Sequence, residues 1–374
     1  MNHKIEIHDV RKSGRLKEFI KLPRLIYNDD PLWVPPLPLG EKQEYSSKKN
    51  TILARSDHAF LMAEANGKPV GRLIVYIDPR YNSFHKSRTG FFGSFESIDN
   101  TDVSLALFKE AESWLRERGM EEILGPINPV SESWGFVLEG NTPPVFLSPH
   151  TPVYYNRLSG EAGFHKAKDL LVYEADARKG YVLPDRFTRF AETILKRKPE
   201  ITVRPIDKRK LKSEALHILR ILNDSVAGNW GYVPVEEDEM AVVLKQLKPI
   251  MDAQAIWFVE DRGFPIGVAL GFPDINVLLR SGRDLTVPGT LWKLLTQKKK
   301  IKDYRLWGLA VQPDYHGMGL DVLLYVSLYR ALEPRGIRLE ANYMLEDNPG
   351  ILNALKKMEL TPVKKYRVYR KDLI

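Results

Sequence analysis

The chain has 374 residues, 43% of them hydrophobic and 28% charged, and a formal net charge of +8. That length predicts two domains. The composition excludes a disordered chain, and no apolar run approaches the ~20 residues that a bilayer span needs. The absence of cysteine excludes disulfides, thiolate zinc sites, a cysteine nucleophile and an acyl-cysteine intermediate together. The eight histidines are scattered, with no His-x-His or His-Glu-x-x-His pair, so no metal is expected. The first residues lack the apolar core of a signal peptide, which makes a cytoplasmic protein the expectation. Positive net charge favours anionic ligands.

In chain order, residues 59–71 predict two strands about a turn at Gly67, a β-hairpin. Gly90, Phe91, Phe92 and Gly93 lie in the next predicted strand, which runs to Phe95. A helix is expected over 103–118, ended at Arg118 and Gly119, where glycine suits a helix C-cap. A short strand follows over 122–125, then a loop of about 25 residues carrying Asn128, Glu132, Trp134 and Glu139; loops this long inside compact units are often functional. A strand over 168–173 closes the first half, and a linking helix over 185–196 ends before Pro199. The second half reads as a strand over 201–206, a hairpin over 255–267 turning at Gly263, and a strand over 306–311. A helix over 319–333, a short strand over 338–341, a helix over 350–358 and a strand over 364–369 complete it.

The second series repeats the first. Ala59, Glu64, Gly67, Pro69 and Gly71 recur without gaps as Ala255, Glu260, Gly263, Pro265 and Gly267, at an offset of 196. The closing strands keep that offset: Lys168, Val172 and Tyr173 match Lys364, Val368 and Tyr369. The reading is a tandem duplication of one α+β (α/β) unit, with domains at 1–176 and 201–374 joined by a linking segment at 177–200.

Val311, Pro313, Tyr315, His316, Gly317, Met318, Gly319 and Leu320 read as a strand end, a breaker, a glycine turn and a helix start. Such a junction leaves backbone N–H groups unpaired at a helix N-terminus, where a pyrophosphate would suit them. A plain tight turn explains the same residues. The first-half counterpart, residues 98–104, has no glycine and carries Asp99 and Asp102, the latter reading as a helix N-cap or first-turn acid. One anion site is therefore expected, in the second half. The densest basic run, from Lys298 to Lys302, holds no aromatic residue and reads as a solvated loop before a strand.

The glycine pattern resembles the acyl-CoA-binding motif of the GNAT acetyltransferase superfamily, Val-x-Pro-x-Tyr-Arg-Gly-x-Gly-Ile-Gly. His316 stands where that motif has Arg or Gln, and Asp321 where it has Gly or Ala. The whole chain is similar to a family of bacterial tandem GNAT-like N-acetyltransferases. The resembling residues include Leu22 and Pro23, Trp33 to Leu37, Gly90 to Gly93, Gly125 with Pro126 and Asn128, Asn229 to Pro234, Pro273 with Asp274 and Asn276, and Glu346 to Asn348.

The resemblance implies two tandem acyl-CoA N-acyltransferase units, each a mixed twisted sheet flanked by helices. It implies acetyl-CoA, or another acyl-CoA, as co-substrate, and a small-molecule or peptide amine as acceptor. Neither a membrane nor a nucleic acid is an expected partner, and the oligomeric state stays open. The expected cofactor residues are Leu309, Ala310 and Val311 at the thioester, His316, Gly317, Met318, Gly319 and Leu320 at the pyrophosphate, and Asn348. Glu340, Tyr343 and Glu346 are the candidate acid–base groups; the family often uses a tyrosine on the last helix, and residues 350–358 have none. Asn229, Trp230, Tyr232, Asn128 and Glu139 are the candidate substrate pocket. Two other readings stay open: a catalytically inactive ligand-binding protein, and a transferase of tandem GNAT fold that uses aminoacyl-tRNA.

Overall fold

The structure, a computed structural model, describes residues 4–36, 41, 44–129, 133–280 and 287–374. Its strands are β1 (Ile5–Asp9), β2 (Asp57–Ala65), β3 (Lys68–Ile77), β4 (Thr89–Ser97), β5 (Glu122–Gly125), β6 (Phe136–Glu139), β7 (His165–Asp176), β8 (Ile201–Pro205), β9 (Ile256–Asp261), β10 (Phe264–Pro273), β11 (Asp303–Val311), β12 (Arg338–Leu345) and β13 (Thr361–Asp372). The helices that matter below are α1 (Leu16–Ile26), α2 (Thr101–Arg116), α3 (Tyr154–Glu161), α4 (Asp185–Arg197), α5 (Leu211–Val226), α6 (Glu237–Leu247), α7 (Val287–Gln297), α8 (Leu320–Leu332) and α9 (Pro349–Lys357).

Both expected hairpins form, for a local reason. Asn66 and Gly67 have φ of 51° and 73°, and Arg262 and Gly263 have 49° and 81°. Two successive residues at positive φ match the backbone of a type I′ turn, whose twist suits two antiparallel strands. The likeness extends to an irregularity. Ala63 pairs with Gly71 and Glu64 with Pro69, so Val70 is an extra residue. Val259 pairs with Gly267 and Glu260 with Pro265, so Ile266 is its counterpart at the same offset of 196.

The chain forms two compact units. The first comprises Met1–Leu170, Leu279–Gly289 and Lys364–Ile374; the second comprises Leu171–Leu278 and Thr290–Val363. In the first, the strand order is β1-β2-β3-β4-β5-β13-β7, with β4 and β5 parallel. In the second it is β8-β9-β10-β11-β12-β7, with β11 and β12 parallel. The two halves thus share one mixed-sheet topology, but each takes its closing strand from the other: β13 lies beside β5, and β7 beside β12. The units are therefore not the two unbroken runs, 1–176 and 201–374, that the repeat suggests. When copies of one unit are joined in tandem, an equivalent strand from either copy satisfies the same backbone edge, as in domain swapping.

In the first unit α2 lays Val103, Leu107, Phe108, Ala111 and Leu115 on the sheet, a stripe at helical spacing. Phe92, Phe95, Phe136, Tyr155 and Phe164 fill the space around it. Asn100 caps α2, its side chain accepting from the amides of Asp102 and Val103; Asp102 is a first-turn acid, not the cap. In the second unit α8 buries Leu320, Leu323, Leu324, Val326, Leu328 and Leu332. Arg330 on α8 pairs with Glu192 on α4 at 2.6 Å.

The second unit also buries charge. Arg338 donates to Glu174 at 2.6 Å and to Glu340 at 2.7 Å, while Asn342 donates to the other Glu340 oxygen at 3.1 Å. Lys179 donates to Glu174 at 2.8 Å. Burial pulls the Arg338 guanidinium down, but Glu340 and Glu174 outweigh it and hold the group above its usual value. Removing one member of such a buried group strands the others' charge. Arg338→Met should therefore destabilise the protein by roughly 3–5 kcal/mol. Urea unfolding would show it as a lower midpoint, with Arg338→Lys falling between; equal midpoints for all three would show that the network carries no stability.

Candidate functional site

The parallel ladder of β11 and β12 stops at Leu306 opposite Ala341, although β11 continues to Val311 and β12 to Leu345. The cause lies on the other edge of β11. Leu306 pairs with Gly271 and Gly308 with Leu270, so Trp307 is an extra, bulged residue. A bulge bends its strand and adds twist, and this one falls where the ladder ends. Among the described residues, Gly308 to Val311 have ladder partners on β10 alone.

Beyond Val311 the chain is held by three side chains. Gln312 donates to Asp224 at 2.8 Å. The Tyr315 hydroxyl donates to Asp261 at 2.8 Å, a bond that raises the pKa of that hydroxyl. His316 Nε2 lies 2.8 Å from the Val311 carbonyl, which can only accept, so this nitrogen carries the proton. The imidazole closes the turn at this position.

Gly317 and Gly319 then take φ of 76° and 74°, the left-handed region that favours glycine. They do so for different reasons. A Cβ on Gly317 would meet nothing within 4 Å. A Cβ on Gly319 would lie 2.6 Å from Phe190 Cε1 and 3.1 Å from Ile194 Cδ1, both on α4. Gly319 begins α8 and no side chain caps that helix. The amides of Gly317, Met318, Gly319 and Leu320 take no acceptor in turns or loops among the described residues. The result is a helix N-terminus with several outward N–H donors and the positive end of the helix dipole. Asp321 lies half-buried in the first turn. Burial first, and Asp321 second, push the Tyr325 hydroxyl well above its usual value.

The candidate pocket residues divide between the units. Tyr232 donates to Asn223 at 2.5 Å, and Asn223 holds Val235 through bonds of 2.9 and 3.0 Å. Asn223 and Asp224 both lie in the last turn of α5, so the loop bearing Asn229, Trp230 and Tyr232 and the end of β11 are tied to one place. Asn128 and Glu139 belong to the first unit. Asn128 accepts from Ser94 at 3.1 Å, and Glu139 pairs with Lys365 at 2.5 Å. Leu37 and Glu132 lie outside the described residues.

The acid–base candidates have unlike surroundings. Glu340 is fully buried and held by Arg338 and Asn342. Tyr343 is half-buried, its ring centre 5.7 Å from the Arg305 guanidinium. Glu346 is half-buried just past β12. Asn348 caps α9, its side chain accepting from the Ile351 amide at 3.2 Å.

The first unit treats the equivalent strand end differently. Gly71 pairs with Ser97 as Gly267 pairs with Val311. The Ser97 amide donates to the Tyr155 hydroxyl at 3.0 Å, and the Tyr154 hydroxyl donates to the Ser97 carbonyl at 2.7 Å. The neighbouring pair is Arg72 and Glu96, where the second unit has Val268 and Ala310. Burial pushes the Glu96 carboxyl up, opposed by Arg72, while Tyr155 donates to it at 2.9 Å. In the first unit both backbone groups of that strand end are thus taken by tyrosines at the start of α3. Sequence reading passed over these residues, and over the His150–Asp30 pair at 2.7 Å, because each joins segments far apart in the chain. The adjacent Tyr154 and Tyr155 were the one local signal available.

No family model matches the chain. Protein YghO of Escherichia coli (strain K12) is 30% identical over 370 residues, covering 96% of this chain and 93% of that protein. The chain belongs to the family of protein YghO. A bacterial ceramide synthase of Caulobacter vibrioides is 29% identical over 384 residues, covering 100% of this chain and 98% of that one. Among solved structures, a tandem GNAT protein from the clavulanic acid biosynthesis pathway aligns with a TM-score of 0.56 at 11% identity, covering 99% of each chain. A GCN5-related N-acetyltransferase from Sphaerobacter thermophilus aligns at 0.51, also at 11% identity, covering 99% of this chain and 96% of that one. The fold is the tandem GNAT fold.

The two glycines should respond unequally to a methyl group. Gly317→Ala meets only the left-handed backbone penalty, roughly 1–2 kcal/mol. Gly319→Ala adds the collision with Phe190 and Ile194. Thermal melts should rank Gly319→Ala below Gly317→Ala, and Phe190→Ala should recover part of the Gly319→Ala loss. Equal melting temperatures would show that α4 yields without cost.

Proposed function

We propose that the second unit binds acyl-CoA and transfers its acyl group to an amine. The observation that carries this reading is one coincidence: the uncapped, glycine-turned start of α8 directly follows the part of β11 that has left β12. In this reading the amides of residues 317–320 receive the pyrophosphate. The open edge of β11, at Leu309 to Val311, offers a backbone N–H to the thioester oxygen. Trp230 and Tyr232 wall the acceptor. The amine nitrogen attacks the thioester carbon, the C–N bond forms, and the C–S bond breaks to release CoA as thiolate. Glu346 or solvent takes the amine proton, and Tyr343 returns one to the thiolate. Glu340, buried against Arg338, positions β12 in this scheme. The name of the Caulobacter relative supports the reaction class, since a ceramide is an amide.

A binding protein without turnover is the second reading, and Asp321 favours it, because a carboxylate near a bound pyrophosphate opposes it. At ~5 Å and an effective dielectric of about 20, the repulsion is about 3 kcal/mol per unit charge before screening.

Calorimetry with acetyl-CoA should find one site per chain, because Tyr154 and Tyr155 take the Ser97 backbone groups in the first unit. Gly317→Asp, which adds a carboxylate where there is room and keeps a residue tolerant of positive φ, should abolish binding. Asp321→Asn should tighten it several-fold at low salt, and the gain should shrink as salt rises. Two sites, or binding indifferent to both variants, would overturn the assignment. Binding without thiol release across a panel of amines would favour the second reading.

A further inference from the structure

Two short basic turns of the second unit, distant in sequence, meet at one loop. The first is Lys208–Lys210 and the second Lys298–Lys300. Lys208 donates to the Met251 carbonyl at 2.9 Å, and Lys298 donates to the Pro249 carbonyl at 2.7 Å. Their ammonium groups therefore flank the same few residues. The crowding is felt: burial, then the charge of Lys208, pull Lys298 below its usual value. Arg209, Lys210, Lys248, Lys299, Lys300 and Lys302 are exposed around them.

The acids nearby are already engaged. Asp207 pairs with Arg209 at 3.0 Å. Asp252 is held by Arg335 at 2.8 Å and by the Tyr304 hydroxyl at 2.7 Å. The face is left strongly cationic. Just upstream, α7 runs into the Lys298–Lys300 turn and leaves Trp292 63% exposed.

We infer that this face docks on an anionic lipid surface, with the lysines against phosphate headgroups and the Trp292 indole at the interface. A large indole left in water beside a polybasic turn is the pairing that interfacial binding uses, one weak apolar signal joined to one electrostatic signal. A single-stranded nucleic acid would instead call for aromatic rings among the cations to stack its bases, and neither basic turn has one. No helix among the described residues is long and apolar enough to cross a membrane, so the contact is peripheral. The inference does not depend on acyl-CoA binding.

The test is flotation of the full chain with phosphatidylcholine vesicles, with and without phosphatidylglycerol. The protein should float with the anionic vesicles alone and be released by high salt. Lys298→Glu/Lys299→Glu/Lys300→Glu should lower partitioning by about tenfold or more, and Trp292→Ala should weaken it as well. Because Lys298 braces Pro249, Arg209→Glu/Lys210→Glu serves if melting shows the triple variant unfolded. Equal binding to neutral vesicles, no binding to either, or variants that float like the parent would overturn the inference. Capture of the protein from anionic vesicles by an RNA oligonucleotide would overturn it too, and reassign the face to nucleic acid.

Discussion

The early end of the β11–β12 ladder is the constraint on which the second unit turns. Backbone groups in a sheet need partners, and where a parallel ladder ends they must be met by something other than the neighbouring strand. The bulge at Trp307 falls where the ladder stops, and an extra residue on β11 changes its twist there. Something else must then meet the strand end. His316 takes the Val311 carbonyl, and Gln312 reaches Asp224. In the first unit two tyrosines of α3 do the corresponding work at Ser97. One geometric problem is met by tyrosines of α3 in one copy and by the imidazole of His316 in the other.

A strand end held in this way needs rigid support. Arg338 and Glu340 lie on the last laddered stretch of β12, opposite Asp303 and Arg305. The Arg338 network ties that stretch to Glu174 on β7, the strand the second unit takes from the first half of the chain. Buried charge of this sort adds little stability over a well-packed apolar core, but it penalises any arrangement that unpairs it. It therefore acts on register. β7 and β13 are equivalent by sequence, and Glu174 on β7 meets Arg338 whereas Asp169, nearer its start, pairs with Arg367 on β13 at 2.7 Å. Glu174 and Asp169, both on β7, thus take different partners.

The hairpins at Gly67 and Gly263, the helices after β4 and β11, and the glycine turn before α8 were all legible in the sequence. Each depends on spacing, on residues tolerant of positive φ, or on a motif within a few positions. The repeat at an offset of 196 was legible for the same reason, down to the matched extra residues Val70 and Ile266. Tertiary structure alone decided the rest. Alternation along a strand cannot show which copy's edge it will join, so the exchange of β7 and β13 left no trace. Nor could it show that Glu340 is held by Arg338, that Asn348 caps α9, or that Phe190 lies where a Gly319 Cβ would go. The sequence determined which backbone conformations were possible at each position. Packing between distant segments determined which of the polar groups so placed would be used up by the fold and which would remain open.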